Sequence, residues 1–369
     1  MGLAAAIALQ MRGAHVLVVD ALKPPIDKAC GEGLMPDARR DLAALGVCCE
    51  PDEGAPFRGI QFVNWTDRGL ASVSADFAGG EGIGMRRTML HSRLVNRAVE
   101  VGVRLRWNTH VALGTSVSID GQQCNYQYLV GADGQSSRVR KWAGLDRGRL
   151  ISKRLGFRKH YRVRPFSGYV EVHWCALGQV YITPVGRDEI CVAVVTRDRS
   201  SRMKQIIDSI PYLRSRLSSK DEISIERGAL TTTRRLRCVA KSNIALIGDA
   251  SGSVDAVTGE GLAVGFRQAS LLGRSIEKGS LELYAADHEK SLQMARRMAR
   301  ALLLIDAHSS FRNAVMCTLA SSPDLFRGLL QVHMGDETLA HFLLGNSGAV
   351  IKRLANRGVT VSETERAST

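Results

Sequence analysis

The pattern of apolar and polar positions changes character early in the chain. Residues 3–12 are alanine-rich, Gly13 interrupts them, and residues 15–19 form a short, largely apolar stretch closed by Asp20. This order predicts a helix, a glycine turn, and a strand covered on both faces, because a buried parallel strand loses polar alternation. Helix, turn, strand and acid in that order make the second half of a dinucleotide-binding βαβ unit. The first strand and most of the glycine loop are expected before residue 1, with Gly2 as the last glycine of a Gly-x-Gly-x-x-Gly loop.

Further on, residues 23–37 are a Pro- and Gly-rich loop containing Cys30-Gly31-Glu32-Gly33. Helical spacing predicts helices over 38–45 and 88–101, the latter with Leu90, Leu94, Val95 and Ala98 on one side. Strands are expected over 60–65, 70–77, 103–107, 111–119, 128–130 and 243–247, with a hairpin turn at Asp120-Gly121. Four stretches, 156–163, 169–174, 180–183 and 190–195, read as an antiparallel meander. Residues 203–217 read as helix interrupted at Pro211, and 262–277 and 284–305 as helices. The C-terminal third is expected to be mostly helical, with its last dozen residues frayed.

Composition narrows the class. The chain has 369 residues, 45% apolar and 23% charged, values ordinary for a globular protein and unlike a disordered one. No apolar run reaches the ~18 residues of a membrane-spanning helix. The net charge is +14, densest over 138–164, where Asp146 is the only acid. Such a stretch reads as a solvated basic face, a partner for a nucleotide cofactor, or a surface for peripheral contact with an anionic membrane. No nucleic-acid module is visible, so no nucleic-acid partner is expected. The eight cysteines include no Cys-x-x-Cys pair and no His pair has metal spacing, so no metal is expected. Scattered cysteines and the lack of a signal-peptide pattern lead to the expectation of reduced thiols in the cytoplasm.

Three separated constellations carry the chemistry. Asp20 ends a strand where a carboxylate can accept bonds from both hydroxyls of a ribose. Gly131-Ala132-Asp133-Gly134 follows a second strand and leads to Ser137, Arg138 and Arg140. Gly248-Asp249 follows a third strand, and Gly259-Glu260-Gly261 opens a helix whose amides can approach an anionic group. No nucleophile elbow of the hydrolase type is present.

With these motifs the sequence resembles the FAD-dependent oxidoreductases that include aromatic-ring hydroxylases (group A flavin monooxygenases) and geranylgeranyl reductases. Asp133, Gly134, Ser137 and Arg140 match the family's DG motif. Gly248 and Asp249 match its GD motif, with Gly259 and Gly261 as the following glycines. Arg87, Leu90 and Leu94 match its R-x-x-L-x-x-x-L segment. Two departures stand out: the expected first strand and glycine loop are not in the sequence, and Ala256 stands where a Pro is usual.

The resemblance implies an α/β fold: a GR2-type Rossmann-like FAD-binding domain, a β-sheet substrate domain and a helical C-terminal region. The FAD-binding domain is expected over 1–57, 81–153 and 236–369, and the substrate domain over 58–80 and 154–235. It implies FAD held by Gly2, Asp20, Arg87, the main chain of Val111, Asp133, Gly134, Arg140, Gly248, Asp249, Gly259, Glu260 and Gly261, with NAD(P)H as reductant. His160, Tyr181 and Pro184 are expected to line the substrate site. Cys30 is a candidate catalytic residue, because its Cys-Gly segment resembles one that geranylgeranyl reductases carry near the flavin. The first functional reading is an NAD(P)H-dependent monooxygenase that hydroxylates or epoxidises a small apolar or aromatic substrate, isoprenoid or polyketide in class, with O₂. The alternatives are a geranylgeranyl-reductase-like enzyme reducing a prenyl double bond, and a truncated remnant without FAD-dependent activity.

Overall fold

A computed structural model describes residues 1–66 and 69–345. The expected frayed end lies outside the described residues. No helix among the described residues is long and apolar enough to cross a membrane.

One layer is of the dinucleotide-binding kind. Helix Gly2–Gln10 precedes strand Leu17–Val19, which pairs in parallel with Arg104–Arg106. Gly13 takes the left-handed φ of +82° that the turn between them needs. Strand Leu129–Gly131 pairs in parallel with Ile244–Leu246, which carries Ala240–Lys241 antiparallel on its other edge. Helix Gly2–Gln10 is buried along most of its length and lies against helix Gly261–Glu277. A Cβ on Gly273 would stand 3.1 Å from the Ala8 carbonyl, so glycine sets that close approach. Leu3, Ile7, Leu94, Leu246, Phe266 and Leu272 share one core here.

The second layer is a seven-stranded sheet. Its order is Arg227–Leu236, Gly148–Tyr161, Glu189–Thr196, Gly178–Gly186, Tyr169–Cys175, Gly59–Thr66, Gly69–Asp76. The meander expected over 156–195 is only partly formed. Strand Gly148–Tyr161 does not pair with Tyr169–Cys175; it joins Glu189–Thr196 and Arg227–Leu236 instead. Tyr169–Cys175 is occupied by Gly178–Gly186 on one edge and, in parallel, by Gly59–Thr66 on the other. The parallel pairing removes the edge that a simple meander would have used. Strand 111–119 is likewise two strands, Val111–Leu113 and Val117–Ile119, that pair with each other.

The basic stretch over 138–164 is not simply a solvated face. Arg140, Arg154 and Arg158 are each about 1% exposed and ion-paired. Arg154 ties the sheet to two other elements: Nη1 lies 3.3 Å from Asp255 Oδ1 and Nη2 3.8 Å from Asp306 Oδ2. Its Nη2 also donates to the Val195 carbonyl at 3.2 Å and to Gln179. Three helices, Leu281–Ala307, Ser309–Ala320 and Pro323–Met334, close the molecule against the sheet. Phe326 packs on Phe62 with ring centroids 4.8 Å apart.

Candidate active site

A cavity of about 530 Å³ lies between the two layers and the C-terminal helices. One end is polar, walled by Lys28, Cys30, Glu32, Arg87 and Asp249. The remainder is apolar, with Ile60, Phe62 and Val172 from the sheet and Leu302, Leu319 and Phe326 from the helices. Its size and its few convergent polar groups are those of a small-molecule site.

The polar end is built from turns that follow short buried strands. Gly248 adopts φ +61° after Ile244–Leu246, and its N–H donates to Gln268 Oε1 at 2.8 Å. Gln268 is tied in turn to His288, its Nε2 lying 3.1 Å from the His288 ring Nε2, which also meets Ser251 Oγ at 2.8 Å. Burial lowers the His288 pKa to about 4, which keeps the ring neutral and able to accept. Sequence reasoning missed this support, because Gln268 and His288 look like ordinary positions on amphipathic helices. Burial also pushes the Asp249 carboxyl up, while Lys28 and Arg87 are among the positive groups that pull it down.

Asp133 accepts bonds from Ser137 Oγ and from the N–H groups of Arg138 and Val139, and so caps helix Arg138–Trp142. Arg140 reaches back, donating to the carbonyls of Gln135 at 2.7 Å and Ala250 at 3.1 Å. The two Gly/Asp motifs are thereby joined. Gly134 lies on the cavity wall, whereas Asp133 and Arg140 lie behind it. Gly2, Asp20 and Val111 also lie off this wall. Asp20 Oδ1 accepts from the Leu22 N–H at 2.9 Å.

The turn Ala256–Thr258 is capped by Asp255, which accepts from Val257 N at 3.1 Å. Gly259 follows at φ +72°, with open space where a Cβ would be, as at Gly261. Helix Gly261–Glu277 therefore begins at the cavity.

The Cys-Gly-Glu-Gly loop contributes Cys30, Gly31, Glu32 and Gly33 to the same wall. Glu32 holds φ +61°, unusual for a non-glycine residue. Its Oε1 accepts from the Arg87 N–H at 2.9 Å and its Oε2 lies 2.6 Å from His160 Nε2. His160 Nδ1 meets Ser224 Oγ at 2.9 Å. His160 thus stands behind Glu32 rather than on the wall. Glu32, His160 and Cys191 approach one another within 4.8 Å, but Arg158 Nη1 already lies 3.2 Å from His160 and supplies a positive charge there. Burial pushes the Cys30 thiol pKa up, and its Sγ accepts from the Glu32 N–H at 3.4 Å. Tyr181 is on the wall and donates to the Val257 carbonyl at 3.1 Å. Pro184 is not on the wall; its carbonyl presses on Gly84, where a Cβ would come within 1.7 Å.

The family model described as FAD binding domain matches residues 1–300. Over 371 aligned residues the chain is 24% identical to a menaquinone reductase of Mycolicibacterium smegmatis, covering 86% of this chain and 87% of that protein. It is 31% identical over 162 residues to a 12-dehydrotetracycline 5-monooxygenase/anhydrotetracycline 6-monooxygenase of Streptomyces rimosus, covering 39% of this chain and 31% of that protein. Among solved structures it resembles a flavoprotein/dehydrogenase from Cytophaga hutchinsonii, with TM-score 0.75, 17% identity and 90% of each chain covered. The last likeness is one of fold.

Proposed function

Because the chain belongs to the FAD-binding-domain family, matched over residues 1–300, we propose that it is an FAD-dependent oxidoreductase that uses NAD(P)H to saturate a carbon–carbon double bond of an apolar, isoprenoid substrate. The observation that carries this reading is the position of the Cys30 thiol at the polar end of an otherwise apolar cavity.

The residues of the polar end fit the cofactor. Arg87 Nη1 is buried without a hydrogen-bond partner, and Lys28 lies on the same wall, so two cations are available to a pyrophosphate. The open faces of Gly259 and Gly261 let backbone approach a flat ring, and Gly134 is equally open. Asp249, on the Gly248 turn, would hold the ribityl or pyrophosphate region, Asp20 the adenosine ribose, the main chain of Val111 the adenine, and Gly2 the pyrophosphate. Asp133 and Arg140 would act by fixing the turns that carry these groups. A domain division at 1–57, 81–153 and 236–369 against 58–80 and 154–235 accompanies this reading. It is supported by the seven strands of the large sheet, which fall almost wholly in the second set.

FAD bound here, once reduced by NAD(P)H, would supply a hydride. Saturating a double bond also takes a proton, and this chain's part is to deliver it. Burial keeps the Cys30 thiol protonated near neutral pH, and the Glu32 N–H fixes the orientation of its sulfur. The apolar wall of Ile60, Phe62, Val172 and Phe326 would hold a hydrocarbon chain and exclude water. The similarity to menaquinone reductases over most of both chains supports an isoprenoid substrate. The match to a tetracycline monooxygenase supports a second reading, hydroxylation with O₂ of an aromatic or polyketide-like substrate in the same dry cavity.

Anaerobic incubation of the protein with NADPH and a short-chain menaquinol, whose ring is already reduced, read by mass spectrometry for a further gain of two hydrogens in the prenyl chain, tests the first reading. Cys30→Ala is expected to lose most of that product while keeping its flavin. Undiminished reduction by the variant would remove Cys30 from the proton path. Substrate-dependent O₂ uptake with an oxygenated product, and no anaerobic reduction, would establish the second reading instead.

A further inference from the structure

Two buried polar atoms on residues of the cavity wall face one another without a hydrogen bond. Glu260 Oε2 and His333 Nδ1 stand 3.7 Å apart, beyond hydrogen-bond reach, with side chains 8% and 9% exposed. Each lacks a hydrogen-bond partner, and both residues line the cavity. They come from distant parts of the chain: Glu260 precedes the first turn of Gly261–Glu277, and His333 lies in the last turn of Pro323–Met334. Buried polar groups are normally satisfied, so this pair marks a place where one oxygen, of a water or of a ligand that displaces it, can bridge the two.

The chemistry of the pair selects that atom. A carboxylate only accepts, while an imidazole with its proton on Nδ1 donates. A single oxygen about 2.8 Å from both can satisfy them only if it donates to one and accepts from the other. A hydroxyl does both. An ether or ester oxygen can accept from His333 but leaves the Glu260 carboxylate facing lone pairs. Beyond the pair the wall is apolar, with Leu292, Val315, Leu329 and Leu330 nearby on it. Asp37 and Arg267 make their own ion pair at 3.1 Å, and the Thr258 hydroxyl bonds to the Glu260 carboxyl, so His333 is the remaining polar group that meets Glu260 at the cavity.

We propose that Glu260 and His333 form a hydroxyl-binding subsite, which admits substrates carrying a ring or terminal hydroxyl on an apolar skeleton. This rests on the reading of the cavity as a substrate site; it does not depend on which reaction follows. Binding this hydroxyl fixes where the rest of an extended substrate runs along the apolar wall.

The test uses the full chain as purified and the fluorescence of the probe itself, so it reads binding whatever the flavin content. The probes are 2-naphthol and 2-methoxynaphthalene, which share a ring system and differ in the ability to donate. Wild-type protein is expected to bind 2-naphthol about tenfold more tightly, the worth of a hydrogen bond to a charged acceptor. Glu260→Leu and His333→Leu should each bring the ratio towards one by weakening 2-naphthol while sparing the ether. Glu260→Gln, which keeps shape and an acceptor, should fall between and serves as the folding control. Flavin content of each protein is read separately by absorbance, and its absence from the wild type would bear on the cofactor reading alone. A wild-type ratio near one overturns the subsite. So does a ratio that both leucine variants leave unchanged, or a loss of flavin in those variants with discrimination intact, which would assign the pair to the cofactor.

Discussion

Replacing Arg154 with Met removes the tie between the large sheet, the turn that leads into Gly259 and the long helix Leu281–Ala307. The guanidinium is 1% exposed and Asp255 is fully buried, so the loss leaves a carboxylate in the interior with only Ser152 Oγ at 3.2 Å and Val257 N at 3.1 Å as partners. Asp306 fares better, because Arg197 Nε remains 3.0 Å away. Breaking a buried ion pair from one side costs about 3–5 kcal/mol, and here the burden falls mainly on Asp255. For a chain of this size that corresponds to about 4–6 °C in melting temperature. Circular-dichroism melts of wild type, Arg154→Met, and Arg154→Met with Asp255→Asn measure it. The double variant should recover part of the loss, because an amide in place of the carboxylate brings no stranded charge and its oxygen can still accept from the Val257 N–H. A single variant that melts within about a degree of wild type would refute the reasoning. So would a double variant that shows no recovery.

Asp249→Ala should lower flavin retention on gel filtration without a comparable loss of thermal stability; unchanged retention would remove the role given to the Gly248-Asp249 turn. His288 predicts a pH dependence. Its folded pKa of about 4 lies below the ordinary 6.5, so between these values the unfolded chain takes up a proton that the folded one does not. This contribution to stability is complete above pH 6.5 and declines as pH falls towards 4. Urea midpoints measured from pH 7.5 to about 4.5 should fall more steeply for wild type than for His288→Gln, and coincident slopes would exclude the buried imidazole as the cause.

What the sequence reveals depends on how local the cause is. The helix Arg87–Glu100 and the turns at Gly248 and Gly259 were readable because helical spacing and glycine backbone act within a few residues. The strand Leu17–Val19 was legible in position, but it is half-buried and paired on one edge rather than covered on both faces. The order of the large sheet was not. Its pairing of Gly59–Thr66 with Tyr169–Cys175 joins distant stretches, and nothing in either pattern names the other. Strand Gly148–Tyr161 begins earlier than its alternation suggested, because Gly148, Arg149, Leu150 and Ile151 are all exposed and mask the period of two. Arg154 and Arg158 illustrate the same limit: a basic residue is predicted outside until its acid, here Asp255 or Asp27, is known to lie beside it. His333 gave no signal at all, since only the tertiary packing of Pro323–Met334 brings it to Glu260.

The interleaved connectivity has a consequence for synthesis. Leu129–Gly131 finds its parallel partner only at Ile244–Leu246, and the sheet between them must be inserted first. During translation the early apolar segments, including Leu3 and Ile7, emerge long before helix Gly261–Glu277 can cover them. Non-local pairing of this kind slows folding and leaves sticky surface exposed for longer. Ribosome-bound chains halted near residue 240 are therefore expected to engage chaperones, and chains released past residue 280 to escape them.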